Sequence, residues 1–183
     1  MKQDNQQKIK YQGVYDWMQS VVTMFLAFMI ALTFFGGTMG VSQVSMMPTL
    51  HDGDRMILRS FLYTPAHGDI IVFSTQSFRD GEALVKRVIA IEGDTIDIDF
   101  GTGVVYLNGV ALEEDYVIGP TTLRGDVSFP QTVPQGHVFV IGDNRTNSQD
   151  SRNSNIGHID TREIIGQVVA IMAPFNRMQL FLR

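Results

Sequence analysis

The sequence predicts a mainly β protein: an N-terminal transmembrane helix followed by an antiparallel β-rich domain. Three observations carry that reading. Between Asp16 and Asp52 there is no Asp, Glu, Lys or Arg, and inside that gap Trp17 to Phe35 reads WMQSVVTMFLAFMIALTFF. From Val41 onward the chain turns to short, β-branched and aromatic runs separated by Gly, Asp, Asn and Pro. Asn108-Gly109, set between two apolar stretches, is the strongest short hairpin signal in the chain and predicts a type I′ turn.

The apolar segment comes first. A membrane-crossing helix needs roughly 20 mainly apolar residues for a hydrocarbon layer of about 30 Å, and this segment meets that length. Tyr15 and Trp17 stand at one edge, where amphipathic rings favour the interface. The expected organisation is a cytoplasmic tail at 1–16, an anchor at 17–37 and an extracytoplasmic domain at 41–183. Lys2, Lys8 and Lys10 ahead of the segment, against an acidic bulk behind it, orient the N-terminus to the cytoplasm by the positive-inside rule. A cleaved signal peptide is the rival reading, with Gly36, Gly37 and Gly40 offering small residues for a cut. A buried core helix is another, although Gln19 and Ser20 supply a polar face only at its start.

Strands are expected at 56–61, 69–74, 83–92, 95–99, 104–107, 137–141 and 167–172. TREII at 161–165 offers one further helical turn, and the Gly- and Pro-bearing stretch 119–134 reads as a surface excursion.

Composition removes several function classes. At 183 residues the chain has room for a core but not for a large multidomain enzyme. A net charge of −5 and the lack of any basic run argue against a nucleic-acid partner. With no Cys there is no thiol catalysis, zinc ribbon or disulfide frame. Metal-spaced His or carboxylate sets, Gly-rich phosphate loops and a G-x-S-x-G elbow are all missing, so no cofactor or metal is expected. The four histidines (His51, His67, His137, His158) are scattered.

Three stretches remain that carry chemistry. The first is Ser45 in Ser-Met-Met-Pro-Thr-Leu, just beyond the apolar segment; taken alone, it reads more naturally as a cap for the turn before Pro48. The second is Lys86. Strand alternation puts it on one face with Leu84, Val88 and Ala90, opposite Val85, Arg87 and Ile89. An ammonium on an apolar stripe is costly, so the neutral amine is favoured there. A lysine lowered to a pKa of about 7–8 can take the proton of a serine hydroxyl. The alternative is a lysine that snorkels to solvent. The third stretch runs GDNRTNSQDSR, Gly142 to Arg152: a loop dense in donors and acceptors in which Asp150 and Arg152 can pair and Ser148 can meet the amine.

In this order behind an N-terminal anchor, these stretches resemble bacterial type I signal peptidase, the membrane-bound Ser-Lys protease family, in its compact single-anchor form. The matching blocks are SMMPTL, Gly68-Asp69 with the strand IIVF, Lys86-Arg87-Val88 with Gly93-Asp94, and GDNR with NSQDSR. They run from about Ser42 to Arg152. The resemblance implies a catalytic domain built of coiled antiparallel sheets, with Ser45 as nucleophile and Lys86 as general base. It implies that Ser148 orients the lysine amine and that Asp143, Asp150, Arg152 and Arg87 hold the site. The oxyanion hole would use the Ser45 N–H and a group at Gln43, where relatives more often carry Ser or Gly. Ala90 and Glu92 depart from the Gly and Pro often found after the lysine.

The implied activity is removal of N-terminal signal peptides from exported preproteins at the outer face of the cell membrane. Preproteins and membrane lipid are then the partners, and the protein is expected to be a monomer. Small residues at alternate positions of an extended substrate would meet apolar walls, for which Val41, Met46, Leu50, Leu84 and Val85 are candidates. A catalytically idle relative that helps assemble surface proteins would be expected to lack Ser45 or Lys86. A cytoplasmic Ser-Lys self-cleaving repressor would carry a DNA-binding helix pair instead of an anchor.

Overall fold

The computed structural model describes residues 2–35, 37–40, 44–78 and 81–181, and, within the N-terminal helix, side chains from 13 to 29. It divides into two units, Met1–Gly36 and Gly37–Arg183. The first is helix α1, Lys2–Phe35. It begins far ahead of the expected anchor, because residues 2–16 hold no proline and a single glycine, Gly13, and simply continue the helix. Every described side chain from 13 to 29 is exposed, Trp17, Met24, Phe25 and Phe28 among them. The hydroxyls of Ser20 and Thr23 donate back to the carbonyls of Asp16 and Gln19 at 2.9 and 2.8 Å, which satisfies them within the helix itself. Among the described residues no helix is long and apolar enough to cross a membrane.

The second unit is antiparallel β throughout its ladders. Its strands are β1 (Gly37–Gly40), β2 (Arg55–Arg59), β3 (Ile70–Ser74), β4 (Ala83–Ile91), β5 (Thr95–Asp99), β6 (Val104–Leu107), β7 (Val110–Ala111), β8 (Gln131–Thr132), β9 (His137–Ile141), β10 (Ile159–Asp160), β11 (Ile164–Ala173) and β12 (Gln179–Leu180). The larger sheet runs in the order β1-β2-β11-β3-β4-β9-β10, with β12 also beside β11. The smaller runs β7-β6-β5-β8. Each is an open path that ends in strands of two to four residues, so neither sheet is curled, and the expected coiled sheets are two open ones.

All seven expected strands form, with ends displaced by no more than three residues. Four short ones (β7, β8, β10 and β12) have too little sequence to carry a period. The fifth unexpected strand, β1, includes Gly37, which the apolar pattern assigns to the anchor; it pairs Gly37 with Leu58 and Gly40 with Arg55. At 161–165 only Thr161–Glu163 forms a helical turn, of the 3-10 type. Ile164 and Ile165 already belong to β11, as their β-branching favours.

Three apolar clusters position the site. Met46, Leu50, Met56, Leu58, Ile70, Val72, Val168 and Ile171 form one. Ile71, Phe73, Leu84, Val88, Val138 and Val140 belong to the second. The third joins the sheets, with Ile89, Ala90, Phe139 and Ile141 of the larger against Ile96, Ile98 and Val105 of the smaller.

The 108–109 turn takes the predicted form: Asn108 and Gly109 have φ of 52° and 80°, and Leu107 pairs with Val110 across it. Asn108 accepts from the Thr95 N–H at 2.8 Å and donates to Asp94 at 2.7 Å. Asn108→Ala removes both bonds and puts a less tolerant residue in the left-handed region. Urea unfolding is expected to show a loss of about 1–2 kcal/mol; a change of only a few tenths would mean the side chain does not hold the turn.

Candidate active site

Lys86 lies in the middle of β4, which is paired to β3 on one side and β9 on the other. A position flanked by two strands and two apolar neighbours on its own face cannot reach water, and Lys86 is 1% exposed. The snorkelling alternative is thereby removed. Its Nζ lies 2.8 Å from Ser45 Oγ and donates to the Val85 carbonyl at 2.9 Å. Ser45 is itself 7% exposed. Burial lowers the Lys86 pKa to about 8, against the upward pull of the charges on Asp150, Asp143 and Glu82.

Ser45 is carried on the turn from Val44 to Leu50. Met46 and Leu50 sink into the first apolar cluster, and the Leu50 N–H donates to the Met46 carbonyl at 2.9 Å, so the turn is pinned from below. Both side chains are therefore core anchors with no open face, and Leu84 is likewise buried, in the second cluster. Of the expected apolar walls, Val85 alone is half-exposed among the described residues, packed against the first cluster. Val41 and Gln43 lie outside the described residues.

The loop after β9 wraps this pair. Asn144 donates its backbone N–H to the Ser45 carbonyl at 3.0 Å and its side-chain amide to the Val44 carbonyl at 3.2 Å. Asp143, fully buried, takes a two-bond fork from Arg87, at 2.8 Å from Nε and 2.6 Å from Nη2. The hydroxyl of Thr49 also donates to Asp143. One carboxylate thus ties the serine turn to the residue next to Lys86. Asp150 takes a second fork from Arg152, at 2.8 and 2.9 Å, and accepts from the Gly142 N–H at 3.1 Å. Asp143, Asp150, Arg87 and Arg152 are thus brought together around Ser45 and Lys86.

Ser148, expected to orient the lysine amine, does not bond to it here. Its Oγ is buried and has no hydrogen-bond partner, while the amine uses Ser45 and Val85. It nonetheless stands beside the dyad. A Cβ built on Gly142 would fall 2.3 Å from Ser148 Oγ and 2.5 Å from the Ser45 carbonyl, so only glycine lets the three meet.

Arg145 stands in the GDNR block without an expected role, and Arg177 has no signal in the sequence. Arg145, fully buried, donates to the Gly142 carbonyl at 3.1 Å, to Thr121 at 2.8 Å and by a fork to Glu114. Arg177 donates to both Asp54 oxygens, at 2.9 and 3.0 Å, and to the Thr49 carbonyl at 3.4 Å, bracing the serine turn from the C-terminal end. Apart from Gly142, their partners lie from 24 to 128 residues away, beyond any local motif. The 119–134 excursion is mostly exposed but meets the loop at Gly125, where a Cβ would collide with the Arg152 carbonyl.

Residues 14–173 match the family described as Signal peptidase, peptidase S26. The chain is 35% identical to Signal peptidase I of Leptolyngbya laminosa, over 88% of this chain and 82% of that protein. It is 31% identical to Signal peptidase I of Bacillus licheniformis, over 93% and 94%. A crystal structure of a signal peptidase I from Enterococcus faecalis V583 aligns at 32% identity with a TM-score of 0.46, covering 58% of this chain and 97% of that one.

Lys86 also sets a stability signature. A shift from 10.5 to about 8 corresponds to about 3 kcal/mol of destabilisation at low pH. Between these values the unfolded chain binds more protons than the folded one, so stability rises with pH from about 8 to about 10.5 and the penalty is full below 8. Lys86→Met removes it but leaves the Val85 carbonyl unbonded, at a cost of about 1 kcal/mol. Chemical unfolding is therefore expected to show the variant more stable by about 2 kcal/mol at pH 6 and less stable above pH 10.5. A variant less stable at pH 6 as well would show that burial imposes no such penalty.

Proposed function

The chain belongs to the signal peptidase family, peptidase S26, and is a serine endopeptidase that removes signal peptides; we propose that Ser45 is its nucleophile and Lys86 its general base. The observation that carries this assignment is the 2.8 Å approach of two buried groups, Lys86 Nζ and Ser45 Oγ, contributed by elements 41 residues apart.

In the neutral state the Lys86 amine accepts the Ser45 proton as Oγ attacks the scissile carbonyl. The ammonium so formed gives its proton to the leaving amine, and an acyl-enzyme on Ser45 remains. The amine then takes a proton from the water that hydrolyses this ester. The Ser45 N–H, with Gln43 as the second donor, is proposed to receive the developing oxyanion. Ser148, whose buried hydroxyl has no partner, is proposed to steady the amine during these transfers. Val41 and half-exposed Val85 are proposed to meet the substrate's small side chains, with Met46, Leu50 and Leu84 kept as core residues behind the site.

The N-terminal helix is proposed as a single-pass membrane anchor with its lysine-bearing end in the cytoplasm and the β unit outside. The exposed apolar side chains from Val14 to Met29, the internally bonded Ser20 and Thr23, and the charge-free run from Trp17 to His51 support it. Protease added to intact spheroplasts is expected to degrade the β unit and spare Lys2, Lys8 and Lys10; a protected β unit would reverse the orientation.

The dyad itself is tested with detergent-solubilised full-length protein and a preprotein carrying an Ala-x-Ala cleavage site. Ser45→Ala is expected to abolish cleavage, and kcat/KM of the unaltered enzyme is expected to rise with pH to a plateau controlled by a group of pKa about 8. Cleavage that survives Ser45→Ala, or a rate flat from pH 6 to 9, would remove the Ser-Lys assignment.

A further inference from the structure

The segment Glu114–Ile118, between β7 and β8, lies against two of the arginines around the site, Arg145 and Arg87. Glu114 takes a fork from buried Arg145, which in turn donates to the Gly142 carbonyl. The Tyr116 hydroxyl donates to Glu114 at 2.9 Å. The Arg87 guanidinium stacks over the Tyr116 ring, 4.0 Å from its centroid, while its other edge grips Asp143. Two residues on, the Ile118 N–H donates to the Asp143 carbonyl at 2.9 Å and Ile118 forms a parallel bridge with Asn144. Asn144 is the residue that bonds the carbonyls of Val44 and Ser45. Among the described residues no hydrogen bond joins this segment to Ser45 or Lys86, yet it closes over the groups that fix each of them.

We propose that Glu114–Ile118 is a positioning strap for the reaction, with Tyr116 as its central residue: the ring holds Arg87 flat so that Asp143 keeps the serine turn and the lysine strand in register. The proposal rests on the Ser45–Lys86 reading. A guanidinium fork is directional, and the ring face restricts the plane in which Arg87 can present it. Without the ring, Arg87 gains freedom to tilt, and a small displacement carried through Asp143 to Thr49 moves Oγ relative to Nζ. Such a displacement affects the transition state more than substrate binding.

The test uses the full-length detergent-solubilised enzyme and the same preprotein, with rates normalised to folded protein by circular dichroism. Tyr116→Leu is expected to lower kcat about ten-fold with KM within about two-fold of the unaltered value. Tyr116→Phe, which keeps the ring, is expected to restore most of the rate. Native kcat in Tyr116→Leu, equal losses in both variants, or a loss that vanishes on normalisation would each overturn the strap. If Tyr116→Leu does not fold, Ile118→Pro decides: it deletes the N–H bond to Asp143 at a partly exposed position, and an unchanged kcat there overturns the proposal. Ser45→Ala run in parallel separates the two readings. Activity surviving that change sinks the dyad, whereas a dead Ser45→Ala beside a native-like Tyr116→Leu sinks the strap alone.

Discussion

A lysine amine held in the middle of a sheet, within hydrogen-bond distance of a serine hydroxyl, is the constraint around which the β unit is arranged. The amine is useful as a base only when neutral, and burial is what makes it so near physiological pH. That burial weakens the fold. The three apolar clusters and the flanking strands therefore have to be stable enough to hold β4 and its unwilling residue in place.

The loop that delivers the serine turn creates a second tension. It is tied down by carboxylates, and carboxylates beside an amine favour its charged form. Each is answered by an arginine: Arg87 forks onto Asp143, and Arg152 onto Asp150. The loop keeps strong, directional tethers while most of the negative charge near Lys86 is cancelled locally. Buried ion pairs of this kind add little net stability, because both partners lose hydration. What they supply is geometry, and the forked contacts fix both angle and distance. An Arg-to-Lys exchange at either place would preserve charge and lose the fork.

The parts of this design that were legible in the sequence are those with local causes. The alternation through Leu84, Lys86 and Val88 put the lysine on an apolar face, and Asn108-Gly109 declared its own turn geometry. The polar run from Gly142 to Arg152 announced a tied-down loop because so many donors must be satisfied within a few residues. Less legible was the direction of side chains on the serine turn. Met46 and Leu50 look like candidates for a substrate wall until the core claims them, since apolar character does not say which surface an apolar residue faces. Helix α1 shows the same limit. Nothing between Lys2 and Asp16 breaks a helix, so the charge gap marked where the apolar part begins but not where the helix begins.

The roles of Glu114, Tyr116, Arg145 and Arg177 were illegible for a different reason: each acts through a partner far along the chain. The smaller sheet is what brings the first two into range. Its residues Ile96, Ile98 and Val105 pack on Ile89, Ala90, Phe139 and Ile141, which follow Lys86 on β4 and precede Gly142 on β9. The apolar junction between the sheets therefore sits directly behind the two segments that carry the site. The chain leaving β7 has only three residues to travel before Glu114 meets Arg145. The smaller sheet thus has a mechanical role: its core registers the strap against the loop, and the loop registers the serine against the lysine.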